Sequence, residues 1–153
     1  MKIDLNKYLG LWNEIARIEN DFEPKMTNVT AEYRLNKDGS IQIINSGYLD
    51  GQFKHIKIIN SGYLDGQFKH IKGIGITTDR DDLLKVSFFS GSYSDYKILA
   101  ITDDYEYALV GGDSKDFLWM LARTKHIDID VYNRFVKIAI NHGYNTNKLI
   151  LTE

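Results

Sequence analysis

Cysteine is absent from this chain of 153 residues, which excludes disulfides, thiolate metal sites, iron–sulfur clusters and a cysteine nucleophile. Proline occurs once, and a surplus of charge is lacking too: nineteen basic residues face twenty-one acidic ones, for a net charge of -2. Such a balance is a poor footprint for nucleic acid or an anionic membrane. No apolar run approaches the ~18 residues of a membrane span. Met1 to Lys7 carry no apolar stretch, so neither a signal peptide nor an integral membrane segment is expected in this chain. Apolar residues are plentiful at 43%, aromatics reach 12%, and ten of them are tyrosines. Residues 1–153 are therefore expected to form one ordered, soluble, aromatic-rich domain, long enough to bury its core without covalent staples.

A perfect repeat lies in the middle. Residues 43–57 read IINSGYLDGQFKHIK, and residues 58–72 read the same fifteen letters. Solenoid repeats diverge and occur three times or more. One identical copy points instead to a tandem duplication, natural or deliberate, inside a shorter ancestral chain.

Around the repeat, short alternating or β-rich runs are separated by turn residues. Strands are predicted over 10–18, 28–35, 40–48, 67–77, 83–89, 95–102, 105–111 and 116–123. The turns between them include Lys37-Asp38-Gly39, Asp65-Gly66 and Asp103-Asp104. Eight strands on short connections, with no helix between them, predict an all-β fold: an eight-stranded antiparallel up-and-down barrel. From Ile129 to His142 the period changes. Val131, Phe135, Ile138 and Ala139 share a helical face, Asp128 or Asp130 can cap the start, and Gly143 suits the residue past the end. This helix is expected to pack outside the barrel, followed by a short strand over 148–152.

Alternation sorts the strand residues into faces. Val29, Ala31, Tyr33 and Leu35 share one; so do Ile41, Ile43 and Asn45; Tyr96, Ile98 and Ala100; and Phe117, Trp119, Leu121 and Arg123. A barrel of this size holds side chains or one small ligand, and an aromatic core and a ligand cavity are both open at this point.

Three blocks favour the cavity. Gly10-Leu11-Trp12-Asn13-Glu14-Ile15-Ala16-Arg17 opens the first strand. Thr102-Asp103-Asp104-Tyr105-Glu106-Tyr107 forms a late turn, and Leu118 to Arg123 the last strand. In order, these resemble the three signature regions of the lipocalins, most closely the bacterial and apolipoprotein D-like members. The tail from Gly143-Tyr144-Asn145 to Lys148-Leu149 also resembles the bacterial group. Asn13 and Asp104 depart from the family pattern, which has Tyr at both places. The resemblance implies that Trp12 plugs the closed end with Arg123 across its indole, in a structural set with Gly10, Thr102, Asp103 and Tyr107. It also implies that Asn45, or its copy Asn60, with Tyr96, Trp119 and Leu121, lines a pocket; Tyr33 and Ile98 join them by alternation. A small hydrophobic ligand, a fatty acid or lysophospholipid, is the expected partner, with no cofactor and no enzymatic activity. The family's isomerase members use a cavity cysteine, which this chain lacks. The location implied is the periplasm or the outer membrane.

Other signals are bland. Gly73-Ile74-Gly75 inside a strand suits a bulge or bend better than a phosphate loop. The four histidines show no metal-ligand spacing, Asp79-Asp81-Asp82 lacks the pattern of a calcium loop, and no nucleophile elbow is present. Asn28-Val29-Thr30 is a chance sequon. Two alternatives stay open. One is a haem- or other pigment-binding protein using His70 or His55; the other is a duplication variant made to study how a barrel absorbs an extra strand. Because one inserted strand would reverse every later strand in a meander, the expected outcome is eight strands with fifteen residues extruded between the third and fourth, near 46–68. Either copy can serve as strand material, and the protein is expected as a monomer, or a dimer through the duplicated segment.

Overall fold

Short polar turns reverse the chain between the alternating runs until the first strand meets the last. The computed structural model describes residues 3–18, 26–49, 69–89 and 92–152. A single helical turn, α1 (Leu5–Tyr8), precedes β1 (Gly10–Ile18), β2 (Met26–Leu35), β3 (Ile41–Leu49), β4 (Lys69–Thr77) and β5 (Leu83–Phe89). Then come β6 (Ser92–Ile101), β7 (Tyr107–Gly111), β8 (Leu118–Ala122), the helix α2 (Ile129–Asn141) and β9 (Leu149–Leu151). Each of the first eight strands runs antiparallel to its neighbour, and β1 pairs with both β8 and β2, which closes the barrel. Connections at one end, such as the Asn36–Ser40 turn, carry their own hydrogen bonds: Asn36 N–H to the Ser40 carbonyl at 2.8 Å, and Ser40 N–H to the Asp38 carboxylate at 2.9 Å.

Two bulges decide what faces inward. In β1 the register with β8 shifts between Glu14↔Leu121 and Ala16↔Met120. In β6 the register with β7 shifts between Ile98↔Val110 and Ala100↔Leu109. An extra residue in one strand resets the alternation that follows it. Ala100 is therefore not on the face of Tyr96 and Ile98, as simple alternation expects. It packs outward with Leu99 against α2, while Ile101 returns to the inside. Leu35 keeps its expected face, opposite Ile41, but it ends β2 beyond the core and is half exposed. Through Gly73 and Gly75, by contrast, the β3–β4 register is continuous, with no bulge. Gly75 answers to packing: a Cβ there would lie 3.4 Å from Ile43 Cδ1 and 3.6 Å from Ile41 Cβ.

Two apolar clusters result. Trp12, Ala31, Tyr33, Ile41, Ile43, Leu84, Ile98, Val110 and Leu121 pack inside the barrel. Ala16, Ile18, Leu109, Leu118 and Met120 on the outer wall meet Phe135, Ala139 and Tyr144. Asp128 caps α2 by accepting from Asp130 N–H at 2.8 Å, and Gly143 adopts a φ of 89° just past its end, as the sequence suggests.

β9 completes the wall. Only Gly10 to Asn13 of β1 pair with β2; farther along, Ala16 to Ile18 pair with β9 instead. Thr152 seals the β1 bulge, its N–H donating to the Ile15 carbonyl at 2.9 Å. The expected short final strand is thus the cover of an edge that β2 leaves open.

The repeat is divided between two strands. β3 holds the start of the first copy and β4 the end of the second, paired in one register from Ile41↔Gly75 to Gly47↔Lys69. The barrel has eight strands. The segment expected to be extruded falls largely within 50–68 and, with Asn60, lies outside the described residues.

Candidate functional site

The closed end is built around Trp12. Its indole is fully buried, and its Nε1–H donates to the Tyr8 carbonyl at 2.8 Å. The Arg123 guanidinium lies 3.8 Å from the ring centroid, a cation–π contact of about 0.5–2 kcal/mol. Its N–H groups donate to the Lys7 carbonyl at 2.8 Å, the Leu11 carbonyl at 2.9 Å and the Tyr105 carbonyl at 3.1 Å. Arg123 therefore satisfies carbonyls that a one-turn helix leaves unpaired at its end. Gly10, at a φ of 102°, brings the backbone close to that guanidinium: a Cβ would sit 3.4 Å from Nη1.

The turn before β7 anchors the same end. Thr102 Oγ1 accepts from Tyr107 N–H at 3.1 Å and bonds the Asp104 carboxylate at 2.7 Å. That hydroxyl and the Glu106 N–H hold the Asp104 carboxyl below the usual range. Asp104 is thus a carboxylate that ties the turn, and both it and Asp103 are exposed. Tyr105, at a φ of 57°, directs its hydroxyl to the Asp4 N–H at 2.8 Å.

Directly opposed residues in an antiparallel pair share a face. Trp12 opposes Ala31, Ala31 opposes Asn45, and Asn45 opposes Ile71, so Asn45 lies on the inner face. Tyr33, Ile98 and Leu121 are buried in the inner cluster, with Tyr96 and Trp119 packed against it. The structure thus brings together Tyr33, Asn45, Tyr96, Ile98, Trp119 and Leu121 on one inner wall. Asn45, Tyr96 and Trp119 stay only half-buried there. Phe117 stacks on Trp119 with ring centroids 6.0 Å apart. His70 stands opposite Ser46, one step out of phase with the inner Asn45–Ile71 rung.

Two features of the inner wall escape sequence patterning. Tyr8, on the unforeseen helix α1, reaches the inside and hydrogen-bonds the Tyr96 hydroxyl at 2.6 Å; Tyr33 bonds the same hydroxyl at 2.8 Å. Burial, together with the neighbouring phenols, pushes Tyr8 and Tyr96 well above the ordinary phenol range. The usable signal was Asp4, an N-cap residue ahead of Leu5-Asn6-Lys7-Tyr8. The second feature is an ion pair, Arg17 Nη1 to Glu14 Oε2 at 2.8 Å, with both side chains essentially buried. Alternation would set these residues on opposite faces. Glu14 shares the face of Trp12 by alternation, and the bulge turns Arg17 inward beside it, so the two stand opposite Leu121 and Trp119. Among the described residues no group of His, Cys, Asp and Glu could hold a metal ion.

A family profile described as a lipocalin-like domain matches residues 3–153. The outer membrane lipoprotein Blc of Vibrio cholerae is 33% identical over 153 residues, covering 98% of this chain and 82% of that protein. Apolipoprotein D of Macaca fascicularis is 28% identical over 158 residues, covering 98% of this chain and 76% of its own. Among solved structures, lobster apocrustacyanin A1 superposes with a TM-score of 0.72 at 17% identity, over 96% of this chain and 77% of that one, which speaks to the fold alone.

Proposed function

This chain belongs to the lipocalin family, whose members bind or transport small hydrophobic ligands, and from that premise we propose that it carries a single-chain lipid, a fatty acid or lysophospholipid, inside the barrel above Trp12. One observation carries the reading: Asn45, Tyr96 and Trp119 face inward yet remain half-buried, on a wall otherwise made of Ile41, Ile43, Ile98, Val110 and Leu121. Such a wall, apolar with a few polar groups, suits an acyl chain.

On the strength of the Vibrio relative's name, we read the location as periplasmic or outer-membrane-associated. No helix among the described residues is long and apolar enough to cross a membrane. The state in solution is a monomer, or a dimer formed through the duplicated segment. Native mass spectrometry of the purified protein tests these points together, because it reports bound lipid and oligomeric state. Titration with a fatty acid is expected to change tryptophan fluorescence, and Trp119→Ala to weaken binding. Unchanged affinity in that variant refutes the site.

A further inference from the structure

The short strand β9 is held in the barrel wall from both sides. Along one edge it pairs with β1: Leu149 stands opposite Ile18, Ile150 opposite Arg17, and Leu151 opposite Ala16. Just past its end, Thr152 is buried and makes three bonds. Its N–H donates to the Ile15 carbonyl at 2.9 Å, and its Oγ1 donates to the Glu14 carbonyl at 3.3 Å. Its own carbonyl accepts from the Asn28 N–H of β2 at 3.3 Å. These residues therefore fill the corner where β2 leaves β1, and one face of β9 belongs to the inside.

A single side chain makes up that face. Directly opposed residues share a face. One rung crosses five strands, from Ile98 to Val110, Trp119, Arg17 and Ile150. Ile98 and Val110 belong to the inner cluster and Trp119 packs against it, so Ile150 faces inward. Its neighbours agree: Leu149 packs on the outer cluster, and so does Ala16, the residue opposite Leu151. Burial along the rung is uneven. Ile98, Val110 and Arg17 are closed off, whereas Trp119 is half-buried and Ile150 remains 36% exposed. The two open side chains flank Arg17, two strands and ~10 Å apart. Apolar surface left open on an inner wall is surface that an apolar chain is driven to cover.

We propose that β9 is part of the ligand site, and that Ile150 contacts the apolar chain of the bound lipid beside Trp119. This rests on the lipid-carrier reading above and extends its wall by one strand, supplied by the last residues of the chain.

Because the chain lacks cysteine, one introduced thiol reports on one position. Ile150→Cys, Trp119→Cys and, on the outward and 64% exposed neighbour, Leu151→Cys are treated with iodoacetamide, with and without oleate or oleoyl lysophosphatidylcholine. At ten times Kd only about one molecule in eleven is free, so alkylation of Ile150→Cys and Trp119→Cys should slow about 10-fold with whichever lipid binds. Alkylation of Leu151→Cys should be nearly unchanged. In a separate measurement, read by the fluorescence of Trp119, Ile150→Ala should raise the Kd about 4-fold, the equivalent of one buried methylene. Leu151→Ala should leave it as it was. If lipid protects Trp119→Cys but not Ile150→Cys, or protects Leu151→Cys equally, the role of Ile150 is overturned while the carrier reading stands. If neither lipid protects Trp119→Cys or changes the fluorescence of the unsubstituted protein, the carrier reading fails, and the role of Ile150 fails with it.

Discussion

Deleting residues 58–72 should stabilise the protein. The product is the same chain whichever copy is removed, because the two are identical. The β3–β4 ladder runs in one register from Ile41↔Gly75 to Gly47↔Lys69. Continued two rungs, that register would set Leu49 opposite Gln67, about 17 residues later along a connection of residues 50–66. In the shortened chain the same register sets Leu49 opposite Gln52, with only Asp50-Gly51 between them. Asp-Gly is a preferred two-residue hairpin turn. The observed pairing is thus that of a tight hairpin with one fifteen-residue unit inserted at its tip. Shrinking the connection from about 17 residues to two lowers the closure entropy by (3/2)RT ln(17/2), about 2 kcal/mol. For a domain of this length the midpoint should rise by about 4–8 °C. Urea unfolding should show a higher midpoint, and Gly47 and Lys54 should give cross-strand contacts by NMR. A deletion product that is less stable, or that lacks those contacts, refutes the argument, because the repeat would then be contributing structure rather than length.

The two copies can also be told apart by proline, which cannot donate to a sheet ladder. Ile44→Pro, in a strand flanked on both sides, should lower the urea midpoint sharply, whereas Ile59→Pro should change it little; the reverse order would mean that the second copy builds β3. Trp12→Ala should cost about 3–5 kcal/mol in unfolding free energy, while Trp119→Ala should spare stability and weaken ligand binding. Gly111→Ala would put a Cβ 2.3 Å from the Tyr144 hydroxyl, and the displaced ring should cost about 1–3 kcal/mol by denaturant titration. Because Tyr8 and Tyr96 hold their protons more tightly when folded than when unfolded, stability should be intact below pH of about 10 and fall above it. Phenolate absorbance from these two should emerge only as the barrel unfolds.

The parts of the fold that are legible in the sequence are those governed by local chemistry. β1 and β5 begin and end where alternation and turn residues put them, and α2 carries the cap and the terminal glycine expected of it. Less legible is whatever depends on a neighbour. No residue type announces the bulges at Ile15 and Leu99, yet they alone move Ala100 outward and bring Arg17 inward beside Glu14. Tyr8 belongs to one helical turn, too short to show a period, and its role comes from contacts with residues up to 88 positions away. The residues proposed to line the pocket reach the inner face where alternation is unbroken, at Tyr33, Asn45 and Tyr96 to Ile98. On β8, family likeness supplied the inward sense of Trp119 and Leu121.

The way β1 divides its edges has a consequence for how the protein is made. Its Asn13 side chain bonds the Ala122 and Arg123 carbonyls, 109 and 110 residues later, and its farther half is covered by β9, near the end of the chain. Apart from the short stretch beside β2, the first strand to leave the ribosome has no partner until nearly the last residues follow. At ~5–20 residues per second, that wait is on the order of 5–20 s. During it the backbone of Ala16 to Ile18 is a bare strand edge in a crowded solution. Barrel closure therefore belongs after synthesis, and this first strand is the segment for which a holding chaperone would matter most.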